Sequence, residues 1–170
     1  MARNVEIKAR ADDLGSLRSR VVMLTPAPPA VIVQHDTFFV VPHGRLKLRR
    51  FADDTGELIF YERPDRAGPR ESSYVRYWSP DPVALSVLLA QAFGVRGVVE
   101  KRREVFLVGR TRIHLDDVRG LGTFMEIEVV LQEGEAVSDG EQVVDQLLAT
   151  LGIPASSLVE HAYIDLLTSA

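Results

Sequence analysis

The chain contains no cysteine, which excludes disulfide frameworks, thiolate catalysis and Cys-ligated zinc. It also lacks any apolar run approaching the roughly 18 residues that a membrane-crossing helix needs. Its first residues, M-A-R-N-V-E-I-K, contain no apolar signal core. A cytoplasmic protein with no membrane partner is the expectation. A basic surplus is missing too: the formal charge is −4, which argues against a nucleic-acid binder working by bulk electrostatics. It leaves room for a concentrated basic site inside an acidic protein. Lysine is scarce. Of 20 basic residues only Lys8, Lys47 and Lys101 are lysine, and all three fall in alternating, strand-like segments. A compact ammonium suits places where a planar guanidinium fork does not fit.

What is present is ordinary in bulk, with 46% hydrophobic and 26% charged residues over 170 positions. That length suits one domain with a substantial core. Period-2 alternation predicts strands near 3–10, 31–41, 45–49, 57–63, 73–78, 98–108, 111–118 and 123–131. Helical spacing predicts helices after Asp12-Asp13, from Pro82 to Phe93 and over about 138–151. A short helix or an extended tail is expected to end at Leu167. The run Pro64–Pro69 reads as a loop ending in basic Arg70. With no repeats and evenly spread Pro and Gly, residues 1–170 read as a single domain. Short connections imply antiparallel pairing, and eight such strands can close into a barrel. The expected class is therefore α+β, mainly β, with an eight-stranded antiparallel closed barrel and flanking helices.

The charges along these strands are sorted by sign. In Gly44-Arg45-Leu46-Lys47-Leu48-Arg49 the three cations share one face, with same-face neighbours about 7 Å apart. Lys101 and Arg103 make a second basic face, to which Arg63 and Arg76 can add. Glu126 and Glu128 share a face beside Arg112, His114 and Asp116. A single amphipathic strand normally turns its charges to water. Faces sorted by sign are different, because like charges repel and solvated sheets generally mix signs. If helices cover the outside, these faces line the barrel interior and need bound ions to be tolerable. Glu126 and Glu128, with Glu6 opposite, would then offer hard oxygen ligands to Mg²⁺ or Mn²⁺. The lysines and arginines would grip phosphoryl oxygens, an arrangement suited to phosphoryl transfer.

Several of these segments resemble, in order, the CYTH superfamily of triphosphate tunnel metalloenzymes. Glu6-Ile7-Lys8 is similar to the second half of its E-x-E-x-K signature. The G-R-L-K-L-R arm, Tyr61-Glu62-Arg63-Pro64, Lys101-x-Arg103, His114-Leu115-Asp116 and Phe124-x-Glu126-x-Glu128 follow over nearly the whole chain. The run H-L-D-x-V-x-G-L-G-x-F-x-E-x-E is most similar to the class IV adenylate cyclase branch. The resemblance implies a tunnel-shaped barrel in which Glu6, Glu126 and Glu128 bind the metal and, with Asp116 assisting, form the catalytic set. It implies that Lys8, Arg45, Lys47, Arg49, Arg63, Lys101, Arg103 and Arg112 bind the triphosphate. The implied activities are cyclisation of ATP to cyclic AMP and pyrophosphate, or hydrolysis of inorganic, thiamine or nucleotide triphosphates. A non-catalytic sensor of such molecules is the remaining reading, and a homodimer stays possible. Asn4 stands where the signature has its first Glu, and no upstream H-F-x-G segment is present.

Overall fold

The computed structural model describes residues 2–168. Eight strands run in chain order: β1 (Ala2–Arg10), β2 (Ala30–Phe39), β3 (Arg45–Arg50), β4 (Gly56–Glu62), β5 (Arg70–Ser79), β6 (Val95–Val108), β7 (Thr111–Val118) and β8 (Gly122–Val130). They close into an antiparallel barrel in the spatial order β1-β5-β4-β3-β2-β6-β7-β8. Tight turns explain the hairpins: Gly109 and Gly120 take positive φ (60° and 80°), which a side chain would strain. Around the barrel lie α1 (Leu14–Val22), α2 (Pro82–Phe93), α3 (Val137–Thr150) and α4 (Tyr163–Thr168). Asp13 and Asp81 cap α1 and α2, each accepting a backbone N–H at 2.9 Å, from Ser16 and Ala84.

The helices dictate which strand face is apolar. Val5, Ile7 and Ala9 of β1, Ile113 and Leu115 of β7, and Met125, Ile127 and Val129 of β8 point outward. They form the main core with Leu17 and Val21 of α1 and Val144 of α3. Full burial of such a side chain is worth about 1.5–3 kcal/mol. Gly140 lets α3 approach closely, since a Cβ there would stand 2.6 Å from Val5 Cγ2. A second cluster places Leu46, Leu48, Leu58 and Phe39 beneath Leu85 and Leu89 of α2. A third closes one end of the barrel: Phe38, Val99, Val118 and Phe124 meet Ala162, Tyr163 and Ile164 of the C-terminal segment. With the apolar faces committed outward, strand alternation leaves the charged faces inside.

Two strand starts differ from expectation by three residues. β5 begins at Arg70 rather than Ser73, so Arg70 belongs to the barrel wall and is fully buried. β6 begins at Val95, directly after Gly94 ends α2, rather than at Val98.

Candidate active site

The barrel encloses a cavity of about 290 Å³. Its wall carries eight basic residues, Lys8, Lys47, Arg49, Arg63, Arg76, Lys101, Arg103 and Arg112, against five acidic ones, Glu6, Asp36, Glu57, Glu126 and Glu128. The interior thus has a surplus of three positive charges in a chain whose net charge is −4. All three lysines of the protein stand here. Two of them mark the depth of the cavity. The Tyr163 ring has Lys8 Nζ 3.3 Å and Lys101 Nζ 4.9 Å from its centroid. Tyr163 belongs to the apolar cluster that plugs one barrel end, so the cavity is a well with a cationic floor.

Strand register arranges the acids above that floor. Lys8 lies opposite Glu126, and Glu6, one step along β1, opposite Glu128. On β7, His114 and Arg112 face Glu126 and Glu128 respectively. Ligand atoms of His114, Glu126 and Glu128 all lie within 4.8 Å of one another. Glu126 is paired with Lys8 and Arg103, and Glu128 Oε2 meets Arg112 Nη2 at 2.9 Å. Burial pushes the Glu126 carboxyl up, but Lys8 and Arg103 outweigh it and hold the group well below the usual carboxylate range. For Glu128 burial is likewise outweighed by His114 and Arg112. Both are ionised, oxygen-rich donors that fit a hard divalent cation. Glu6 is turned aside: its Oε1 lies 3.2 Å from Arg63 Nε and 3.7 Å from Arg70 Nε. Burial, together with Glu128 and Glu126, raises its carboxyl against the pull of Arg63.

Opposite this acidic wall, β2 supplies Asp36. Arg49 grips it with both nitrogens (2.8 Å each) and Lys47 Nζ adds a third bond at 2.9 Å. Asp36 is almost wholly buried, and Arg49 and Lys47 outweigh the burial that would raise its carboxyl, keeping it ionised. Burial and neighbouring Arg49 bring the Lys47 ammonium down to about 8, although Asp36 opposes them. Burial brings Lys8 to about 8 as well, against Glu126.

Of the residues expected at the site, ten line the well: Glu6, Lys8, Lys47, Arg49, Arg63, Lys101, Arg103, Arg112, Glu126 and Glu128. Two stand elsewhere. Asp116 is buried behind the wall, bound by Arg103 through both nitrogens (2.6 and 2.5 Å) and by the Tyr163 hydroxyl at 2.9 Å. Arg45 reaches the outer side of the plugged end, where Nη2 donates to Asp65 and Asp165 at 2.7 Å each. It lines a separate, more open cavity with Asp65, Arg96 and Asp165, and Arg63 stands between the two. Asp36, Arg70 and Tyr163 were not foreseen. Asp36 had a signal in the Gln34/Asp36 alternation, whereas Arg70 was masked by the Pro-rich loop before it. Nothing in the sequence places Tyr163 at the barrel end. The carbonyl oxygens of Asn4 and Gln34 are buried on the wall without hydrogen-bond partners among the described residues.

Comparison with known proteins agrees with this fold. A family model described as the CYTH domain matches residues 2–163. Adenylate cyclase CyaB of Aeromonas hydrophila is 23% identical over 168 residues, covering 94% of this chain and 85% of that protein. A solved Pyrococcus horikoshii protein superposes with a TM-score of 0.87 at 23% identity, over 96% of this chain and 98% of the other. A Hippeastrum protein, described as an adenylyl cyclase candidate with a dominant triphosphatase activity, has a TM-score of 0.69 at 18% identity. That match covers 99% of this chain and 96% of the other.

Proposed function

The chain belongs to the CYTH domain family, and from that premise we propose that it is a metal-dependent enzyme cleaving a triphosphate drawn phosphates-first into the well. The observation that carries this reading is the surplus of three positive charges lining the well of an acidic protein, with Lys8, Lys101 and Arg103 among them buried. Buried charge of one sign is expensive unless an opposite charge balances it. A triphosphate supplies that balance. Glu126 and Glu128, with His114 and Glu6 beside them, are the residues that would hold Mg²⁺ or Mn²⁺. Bound there, the metal polarises phosphoryl oxygens and acidifies the attacking hydroxyl or water.

The protein's own residues do the rest. Lys8 and Arg103 pair with Glu126, and Arg112 pairs with Glu128. On ligand entry Lys8, Arg103 and Arg112 would turn to phosphoryl oxygens, leaving Glu126 and Glu128 as the carboxylates that would hold the cation. Arg103 is preset for this by Asp116, which fixes its plane from behind and so acts as a positioning residue. Lys8 and Lys101, at the floor, receive the terminal phosphate.

Glu126 lies level with Lys8, and Glu128 lies one register step nearer the mouth, where it would serve the inner phosphates. This favours a class IV adenylate cyclase reaction. The ribose 3′-hydroxyl gives up its proton and its oxygen bonds to the α-phosphorus, the bond from that phosphorus to the α,β-bridging oxygen breaks, and pyrophosphate leaves carrying the bridging oxygen. The second reading, water attacking the terminal phosphorus, is favoured by the likeness to the Hippeastrum protein and its described triphosphatase activity. Incubation with ATP, inorganic triphosphate or thiamine triphosphate plus Mg²⁺ or Mn²⁺ separates them, through cyclic AMP and pyrophosphate against orthophosphate. Lys47→Ala and Lys101→Ala variants that kept full triphosphate affinity would overturn the assignment itself.

A further inference from the structure

We infer that Trp78, backed by Phe51, forms a stacking platform at the mouth of the well for a planar heteroaromatic ring carried by the triphosphate. The inference rests on the triphosphate reading above and narrows its substrate class to organic triphosphates with such a ring.

Register fixes the position. Trp78 lies directly opposite Glu57, which lines the well, and Glu57 lies opposite Arg49. Residues directly opposite in antiparallel strands project from the same face of the sheet. Trp78 therefore stands on the inner face, one alternation beyond Arg76, at the end of β5 farthest from Arg63 and the floor. Its cross-strand row places it two strand spacings, about 10 Å, from Arg49. Lys47 is one step deeper on β3. A pentose-sized linker spans that gap between a ring and a phosphate chain.

The local chemistry suits a ring rather than more phosphate. Phe51 stacks on the indole with centroids 6.0 Å apart and planes at 22°. Phe51 thus backs the plane of Trp78, while Trp78 as a residue remains 53% exposed. Arg76, on the same strand face, is half-exposed and held toward Glu57 at 3.6 Å. Its guanidinium lies 5.7 Å from the Tyr74 ring centroid, giving the mouth a cation above a second aromatic. A half-open indole, backed by Phe51, thus stands at the entrance of an ion-lined well. Base–aromatic stacking is a sequence-tolerant interaction available to any planar heterocycle.

Trp78 is the only tryptophan, so it reports on itself. In the presence of Mg²⁺, ATP is expected to quench or shift its fluorescence, and inorganic triphosphate is expected to leave it nearly unchanged. By calorimetry, Trp78→Leu is expected to weaken ATP binding roughly 5- to 150-fold, the range that one stacking contact provides. Affinity for inorganic triphosphate is expected to stay within about twofold, and Trp78→Phe to restore most ATP affinity. Equal losses for both ligands would show a merely structural residue and overturn the inference, as would unaltered ATP binding in Trp78→Leu. Tight binding of inorganic triphosphate with none of ATP would overturn the inference and leave the proposed function standing. Binding of neither ligand by the unaltered protein would overturn both.

Discussion

Replacing Asp36 by Asn separates two roles that the structure gives this carboxylate, anchor and competitor. Asp36 makes three charge-assisted hydrogen bonds to Arg49 and Lys47 and is 1% exposed. Asparagine keeps the shape but leaves two buried cations facing each other without a counter-charge. Removing one partner of a buried ion pair typically costs about 3–5 kcal/mol. For a chain of this length each kcal/mol lowers Tm by roughly 2–4 °C, so a fall on the order of 10 °C is expected by thermal scanning. Inorganic triphosphate should then restore what asparagine removes. Freed of Asp36, Lys47 and Arg49 face the anion alone, and affinity should rise by about tenfold, equivalent to about 1.4 kcal/mol. Ligand at about 100 times Kd adds roughly 2.7 kcal/mol to any binder, so the variant should gain more in Tm than the parent at a fixed, sub-saturating concentration. A variant that melts like the parent, or that binds triphosphate more weakly, refutes the view that Asp36 holds these cations in reserve.

Further outcomes follow from the same structure. Triphosphate affinity should decline as pH rises through about 8, where Lys47 loses its proton in the free protein; calorimetry across pH 7–10 measures it. The stability contribution has the opposite sign. Because the folded-state value lies below the ordinary 10.5, the unfolded chain holds more protons between about 8 and 10.5, and Lys47 favours folding increasingly over that window. The double variant Glu126→Gln, Glu128→Gln should lose metal-dependent turnover by at least about 100-fold while binding metal-free triphosphate at least as well as the parent, in paired turnover and binding assays. Gly140→Ala should destabilise the fold by about 1–3 kcal/mol in urea melts, since its Cβ would meet Val5 and Leu131 at 2.6 and 2.9 Å, with substrate affinity untouched.

Most of the barrel was legible because alternation is a local signal. A strand such as β3 declares both faces within six residues, and sorting by charge separates Arg45, Lys47 and Arg49 from Leu46 and Leu48. What local pattern cannot supply is which faces meet. Asp36 alternates correctly in β2, yet its role depends on register with β3, set by a hairpin whose turn geometry the residues only suggest. Arg45 shares its strand face with Lys47 but lies beyond the apolar plug, so one continuous basic stripe is divided between two cavities. Arg70 was hidden because Pro64 and Pro69 frame a loop and say little about the residue at which pairing resumes. Asp116 shows the opposite limit: its motif context suggests ligation, while in the folded chain its oxygens are committed to Arg103, Lys101 and Tyr163.

If a triphosphate fills the well as proposed, the apolar plug around Tyr163 also dictates the order of release. A vessel with a single opening empties in the reverse of the order in which it fills. Whichever phosphate bond breaks, the fragment nearest the mouth departs first and the fragment over the lysine floor departs last. For cyclisation the deep fragment is pyrophosphate, and for hydrolysis it is orthophosphate. Turnover is then paced by how readily the floor releases a small anion. Added pyrophosphate would act as a bottom-bound inhibitor, and loosening the C-terminal segment would open a back door.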